Sequence, residues 1–125
     1  MNSSLRSGEI RAPNHDDVKR IRTRSRDHAG AERRLREAVE VNPWNDVAYM
    51  YLALAVMSRG DGAEAEKCLR RAVEINPGNG LAHTNLAVAL FNRDATGEAR
   101  AHCVEALRIN PDNVSAQSLL KMIDG

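Results

Sequence analysis

Rings, cysteine frameworks and long apolar runs are what this sequence has little of. Trp44, Tyr49, Tyr51 and Phe91 are all the aromatics in 125 residues. Alanine and leucine must therefore carry the core, which favours helix over sheet. Two cysteines, Cys68 and Cys103, do not make a disulfide framework. Free thiols in a chain without a signal peptide lead us to expect a reducing, cytoplasmic setting. The longest apolar run, Val47 to Met57, is eleven residues, whereas a membrane span needs about 20. A membrane protein is not expected.

Catalytic signatures are missing too. No glycine-rich phosphate loop, nucleophile elbow or paired-carboxylate motif is present, and His15, His28, His83 and His102 are scattered along the chain. Adjacent His102 and Cys103 point about 100° apart on a helix. Cys68 and His102 approach within about 10 Å at usual helix-packing distances, too far to share a zinc, and no third ligand is evident. The expectation is a semi-buried thiol and an exposed imidazole, with no metal, no cofactor and no enzymatic role.

The net charge of +1 conceals an asymmetry. Residues 1–36 hold ten Lys/Arg against five Asp/Glu, and residues 37–125 hold eight against twelve. Within the basic part, "KRIRTRSR" packs Lys19, Arg20, Arg22, Arg24 and Arg26 into eight positions. Such a run can contact phosphates, but no interleaved aromatic offers a stacking platform. An acidic protein partner or a solvated face suits it better than nucleic acid.

What the sequence does have is a period. "VNPWN" at 41–45, "INPGN" at 75–79 and "INPDN" at 109–113 are spaced by 34 residues. Aligning 42–75 with 76–109 needs no gap and gives twelve identities, among them Leu52/Leu86, Ala53/Ala87, Ala65/Ala99 and Ala72/Ala106. Asn45, Asn79 and Asn113 each precede an apolar-periodic run, as helix N-caps do. The residue before a proline leaves the helical region, so Asn76-Pro77 and Asn110-Pro111 end helices. The pattern predicts paired helices at about 46–58 with 63–75 and 80–92 with 97–109, plus one at 29–41. Leu52 and Leu86 should be buried between paired helices, with small alanines allowing close approach.

This arrangement closely resembles the tetratricopeptide repeat family, whose period is 34 residues. Tyr49 and His83 match its large opening residue, Leu52 and Leu86 its leucine, and Ala53 and Ala87 the small residue after it. Val56 and Leu90, Ala65 and Ala99, Leu69 and Cys103, Ala72 and Ala106, and Pro77 and Pro111 complete the match. The resemblance implies an all-α fold of stacked antiparallel helix hairpins in a right-handed superhelix, with two full repeats and a partial unit at each end. The expected organisation is a flexible tail at 1–13, a degenerate first repeat at 14–45, repeats at 46–79 and 80–113, and a capping helix at 114–125. In 14–27, Lys19 and Arg22 fall where small and apolar residues belong, so this stretch is either a degenerate helix or a mobile arm. Trp44, just ahead of a cap, is expected to fold back on the first turn near Tyr49 as a hydrophobic staple.

The resemblance also implies a concave groove that takes a peptide or an amphipathic helix of a partner protein. Its family positions fall on Met50, Leu54 and Met57 of one helix and on Leu81, Thr84, Asn85, Val88 and Asn92 of the next, with Val47, Ser58 and Phe91 beside them. Helix 46–58 is apolar all round, which requires cover on all sides, either by a partner or by the chain itself. The family's carboxylate clamp is not expected. Asn85 matches its central asparagine, but Met50, Leu54, Ser115 and Leu119 stand where its other polar residues belong. Tyr51 and Leu119 likewise interrupt the asparagine ladder of the family's sugar transferases. The expected function is a non-catalytic adaptor. Self-assembly through the stack ends, and nucleic-acid contact through 19–26, are the alternatives.

Overall fold

Asparagine and proline set the element boundaries in the structure, a computed structural model that describes residues 29–125. The expected tail 1–13 and the arm 14–27, with Lys19, Arg20, Arg22, Arg24 and Arg26, lie outside the described residues. Six helices and no strand occur among the described residues: α1 (29–41), α2 (Asp46–Ser58), α3 (Gly62–Ile75), α4 (Gly80–Asn92), α5 (Thr96–Ile109) and α6 (Val114–Asp124). Within the compact unit Glu32–Gly125, α2 pairs with α3 and α4 with α5; α3 packs on α4, and α5 on α6.

Each Asn-Pro-X-Asn turn is built the same way three times. The backbone N–H of Asn42, Asn76 and Asn110 closes the last helical turn by donating to Ala38, Ala72 and Ala106 carbonyls, each at 2.9 Å. Their side-chain oxygens accept from the N–H of Trp44, Gly78 and Asp112 at 3.1, 3.0 and 3.1 Å, which is an Asx turn. Three residues on from each, Asn45, Asn79 and Asn113 accept from Ala48, Ala82 and Ala116 N–H at 3.0 Å, capping the next helix.

The turns inside the hairpins are less alike. Between α2 and α3, Gly60 takes φ +91° at no steric cost, and Asp61 caps α3 through Glu64 N–H at 3.0 Å. Between α4 and α5, Asp94 holds φ +67° at the equivalent place. The residue after it is Ala95, so α5 begins with no side-chain cap.

The core follows the repeat. Leu52 and Val56 of α2 meet Leu69 of α3, and Leu86 and Leu90 of α4 meet Cys103 of α5, all buried. Ala53, Ala65, Ala72, Ala87, Ala99 and Ala106 have no exposed surface, so the helices approach closely. Burying a leucine stabilises by about 1.5–3 kcal/mol, and the fold repeats that gain in each hairpin. Leu35 and Val39 of α1 close one end of this core, and Leu120 and Ile123 of α6 pack on the other.

A lattice of charges recurs with the same period. Arg36 of α1 bonds Glu64 at 2.7 Å and Glu32 at 2.8 Å, while Arg59 bonds Glu32 at 2.9 Å. One repeat later, Arg70 bonds Glu98 at 2.6 Å and Glu66 at 2.8 Å, and Arg93 bonds Glu66 at 2.7 Å. Hydrogen bonds from Arg59 and Arg36 hold Glu32 down at about 2, and Arg93 with Arg70 does the same to Glu66, also about 2. The lattice stops at Arg100, which stands where a third glutamate would and pairs with Asp124 at 2.9 Å instead.

Two expectations need correcting. Trp44 is no staple: it is 68% exposed, with the Arg71 guanidinium 4.9 Å from its ring centroid. The cation offers the ring a face-on partner, and Arg71 also reaches the Pro43 carbonyl at 3.4 Å. His102 is not an exposed imidazole: it is half-buried and bonded to His83, Nδ1 to Nδ1, at 3.0 Å. The i to i+19 separation of that pair follows from hairpin packing, not from any spacing within one helix.

Candidate functional site

The first helices of the hairpins, α2 and α4, and the unpaired α6 present equivalent rows of side chains 34 residues apart. The clearest row is Leu54, Val88 and Met122: Leu54 is 37% exposed and Met122 is exposed, with Val88 half-buried between them. A second row begins with Val47 and Leu81, the latter 61% exposed. Tyr51 is 50% exposed, and its counterpart Asn85 is half-buried. Asn92 is exposed, and Met57 and Phe91 are half-buried against the core.

Two of the expected lining residues lie deeper. Met50 is only 4% exposed and belongs to the core cluster. Thr84 is buried because its hydroxyl is fully engaged, donating to the Gly80 carbonyl at 3.0 Å and accepting from the Asn113 amide at 2.9 Å. That second bond gives Asn113 two duties: its oxygen caps α6 while its nitrogen ties α6 to α4. Asn79 behaves alike, capping α4 while donating to Asp46 of α2 at 2.9 Å. The repeated asparagine thus fixes the spacing of the helices that carry the site, a role its capping pattern did not disclose.

On α2 and α4 the site is electrostatically bare. Neither α2 nor α4 contains Lys or Arg, and their single acid, Asp46, is held by Asn76 and Asn79. The Arg–Glu lattice gathers on α1, α3 and α5 and the inner turns, away from these rows. Among the described residues no group of three metal-ligating side chains converges, and no helix is long and apolar enough to cross a membrane.

A family model for the tetratricopeptide repeat matches residues 22–76 and 59–123. The chain belongs to the tetratricopeptide repeat family. Solved structures of such repeats are similar to most of it. The first repeat domain of Spaghetti (RPAP3), bound to the HSP90 peptide SRMEEVD, superposes with a TM-score of 0.76 at 22% identity, over 88% of this chain and 86% of that one. The OM64 repeat domain from Arabidopsis gives 0.76 at 24% identity, over 81% and 84%. The Thermobaculum terrenum O-GlcNAc transferase gives 0.73 at 26% identity, over 91% of this chain but 23% of that enzyme. No curated protein matches the sequence. Tetratricopeptide domains generally mediate protein–protein interaction.

Proposed function

We propose that this tetratricopeptide domain is a non-catalytic adaptor whose groove docks an uncharged, apolar segment of another protein, an extended peptide or one face of an amphipathic helix. The observation that carries this reading is the row Leu54, Val88 and Met122, apolar and at least partly accessible on the alternate helices α2, α4 and α6, on a face where α2 and α4 supply no cation. Exposed apolar rows gain from being covered, and methionines adapt to varied partners. Asn85 and Asn92 offer polar groups to orient a main chain. The relative bound to SRMEEVD holds a peptide rich in carboxylates. With Met50, Leu54, Ser115 and Leu119 where cations or amides would serve such a ligand, this groove suits a different one. The free, buried thiols Cys68 and Cys103 fit a reducing, cytoplasmic location.

The test is a pair of substitutions. Leu54→Glu and Val88→Glu should each abolish capture of a partner from native lysate while leaving the helical circular dichroism spectrum unchanged. Loss of a buried interface anchor costs about 2 kcal/mol or more, roughly thirtyfold in affinity. Folded variants that still capture the same partner would move the site off the groove. Unfolding of Leu54→Glu would mean that the chain covers this face itself.

A further inference from the structure

Where the first hairpin has Tyr49 and Cys68, the second has His83 and His102, and the two imidazoles meet across α4 and α5 with ring centroids 5.2 Å apart. Their proton positions follow from their partners. His83 Nε2 lies 2.9 Å from the Pro77 carbonyl, which only accepts, so this nitrogen carries a proton. Neutral His83 then offers Nδ1 as an acceptor, and His102 Nδ1–H donates to it across 3.0 Å. The remaining nitrogen, His102 Nε2, is 3.8 Å from Glu98 Oε2.

We propose that the His83–His102 pair is an acid-labile clasp on the second hairpin, closed while at most one of the two rings is charged and forced open when both are. The first extra proton goes to His102 Nε2, where the inter-ring bond survives. A second has only His83 Nδ1 to occupy, and two N–H groups then face each other at hydrogen-bonding distance. The charged neighbours do little to relieve this. Glu98 faces His102 but already takes Arg70 at 2.6 Å; Arg70 on α3 opposes the added charge, and Glu105 on α5 favours it while bonded to Arg108. α4 brings no titratable group besides His83. Burial, and then His83, hold His102 below the ordinary imidazole value.

The sign follows from proton counts. The unfolded chain protonates His102 as pH falls through about 6.5, while the folded hairpin holds that ring below its ordinary value, so stability declines as pH falls from there. The paired carboxylates Glu32 and Glu66, held at about 2, begin to lose their contribution only below about 4.5, the ordinary glutamate range. The two windows are separate.

Transplanting the first hairpin's residues tests the clasp. Thermal unfolding of the full chain should show Tm falling by about 4 °C or more between about pH 7.5 and 5.5, whereas His83→Tyr/His102→Cys should show almost no change over the same interval. Equal losses in both proteins would overturn the proposal, as would a parent indifferent to pH. If the double variant does not fold, imidazole nitrogen resonances of the parent decide. Two separate protonation steps, the later one coinciding with loss of amide protection in α4 and α5, would support the clasp. A single step near the ordinary value, with protection retained, would refute it.

Discussion

Asn79 and Asn113 each spend both ends of one amide, and that makes asparagine irreplaceable there by its closest relative. Aspartate could still cap, since a carboxylate accepts from the N–H of the first turn. It could not donate, and at 79 it would set its charge against Asp46, now 2.9 Å from the Asn79 nitrogen. Asn79→Asp should therefore cost about 1–3 kcal/mol in urea unfolding, and Asp46→Asn in the same chain should recover most of it. Equal stability of Asn79→Asp and the parent would disprove the tie. The inner turn of the second hairpin offers the opposite case, a residue that nature has left unoptimised. Ala95 supplies no cap to α5, whereas Asp61 does so for α3. Ala95→Asp should stabilise by about 0.5–2 kcal/mol, and a Tm no higher than the parent's would show that the turn cannot present its side chain.

At the scale of helices, the hairpin core and the ionic lattice make unequal contributions. Leu86 has no exposed surface, so Leu86→Ala should cost about 2–5 kcal/mol, a large share of the 5–15 kcal/mol typical of a domain. Glu66→Gln weakens bonds to Arg70 and Arg93, whose guanidinium ends are exposed, and should cost about 1 kcal/mol or less at neutral pH. That cost should shrink in about 1 M salt. It should also fade as pH falls from about 4.5 towards 2, because Glu66 gains its stabilising charge only above its own depressed value of about 2. Nearly all of the helix boundaries were legible in the sequence, because Asn caps and Asn-Pro stops act locally: the expected 46–58 and 80–92 are the observed α2 and α4. The lattice was legible as well, in Glu32/Glu66, Arg36/Arg70, Arg59/Arg93 and Glu64/Glu98, but only to a reader who carried the period over to charged positions. The burial of Met50 and Thr84 was not. Whether a helical side chain sinks or faces outward depends on neighbours from other repeats, and Thr84 is drawn in by Asn113, a residue 29 positions away. The histidine pair and the Trp44–Arg71 contact were hidden for the same reason.

At the scale of the whole molecule, the outer face of α5 and α6 departs from the pattern that seats the next helix one repeat earlier. An open cavity of about 290 Å³ between α5 and α6 is lined by Leu107, Gln117, Leu120, Lys121 and Asp124. One repeat earlier those positions are Val73, His83, Leu86, Ala87 and Leu90, the seat on which α5 packs. Lys121 takes the place of an alanine that lets helices touch, and Asp124 the place of a buried leucine, already claimed by Arg100. A helix packing here as α5 packs on α4 would meet bulk and charge. Lys121→Ala/Asp124→Leu should therefore raise the tendency to associate above the parent's, read by light scattering as a steeper rise in mass with concentration. A variant no more prone to associate than the parent would mean that these two residues are not what limits stacking. The asparagine ties also bear on the mechanics of the groove. They rivet the N-terminal edges of α2, α4 and α6 with hydrogen bonds to Asp46 and Thr84, while Arg59 and Arg93, at the C-terminal edges of α2 and α4, grip the neighbouring second helices only through ionic contacts. Salt screens exposed ion pairs more than hydrogen bonds, so raising the ionic strength should loosen the margin of Arg59 and Arg93 before the margin of the asparagine ties.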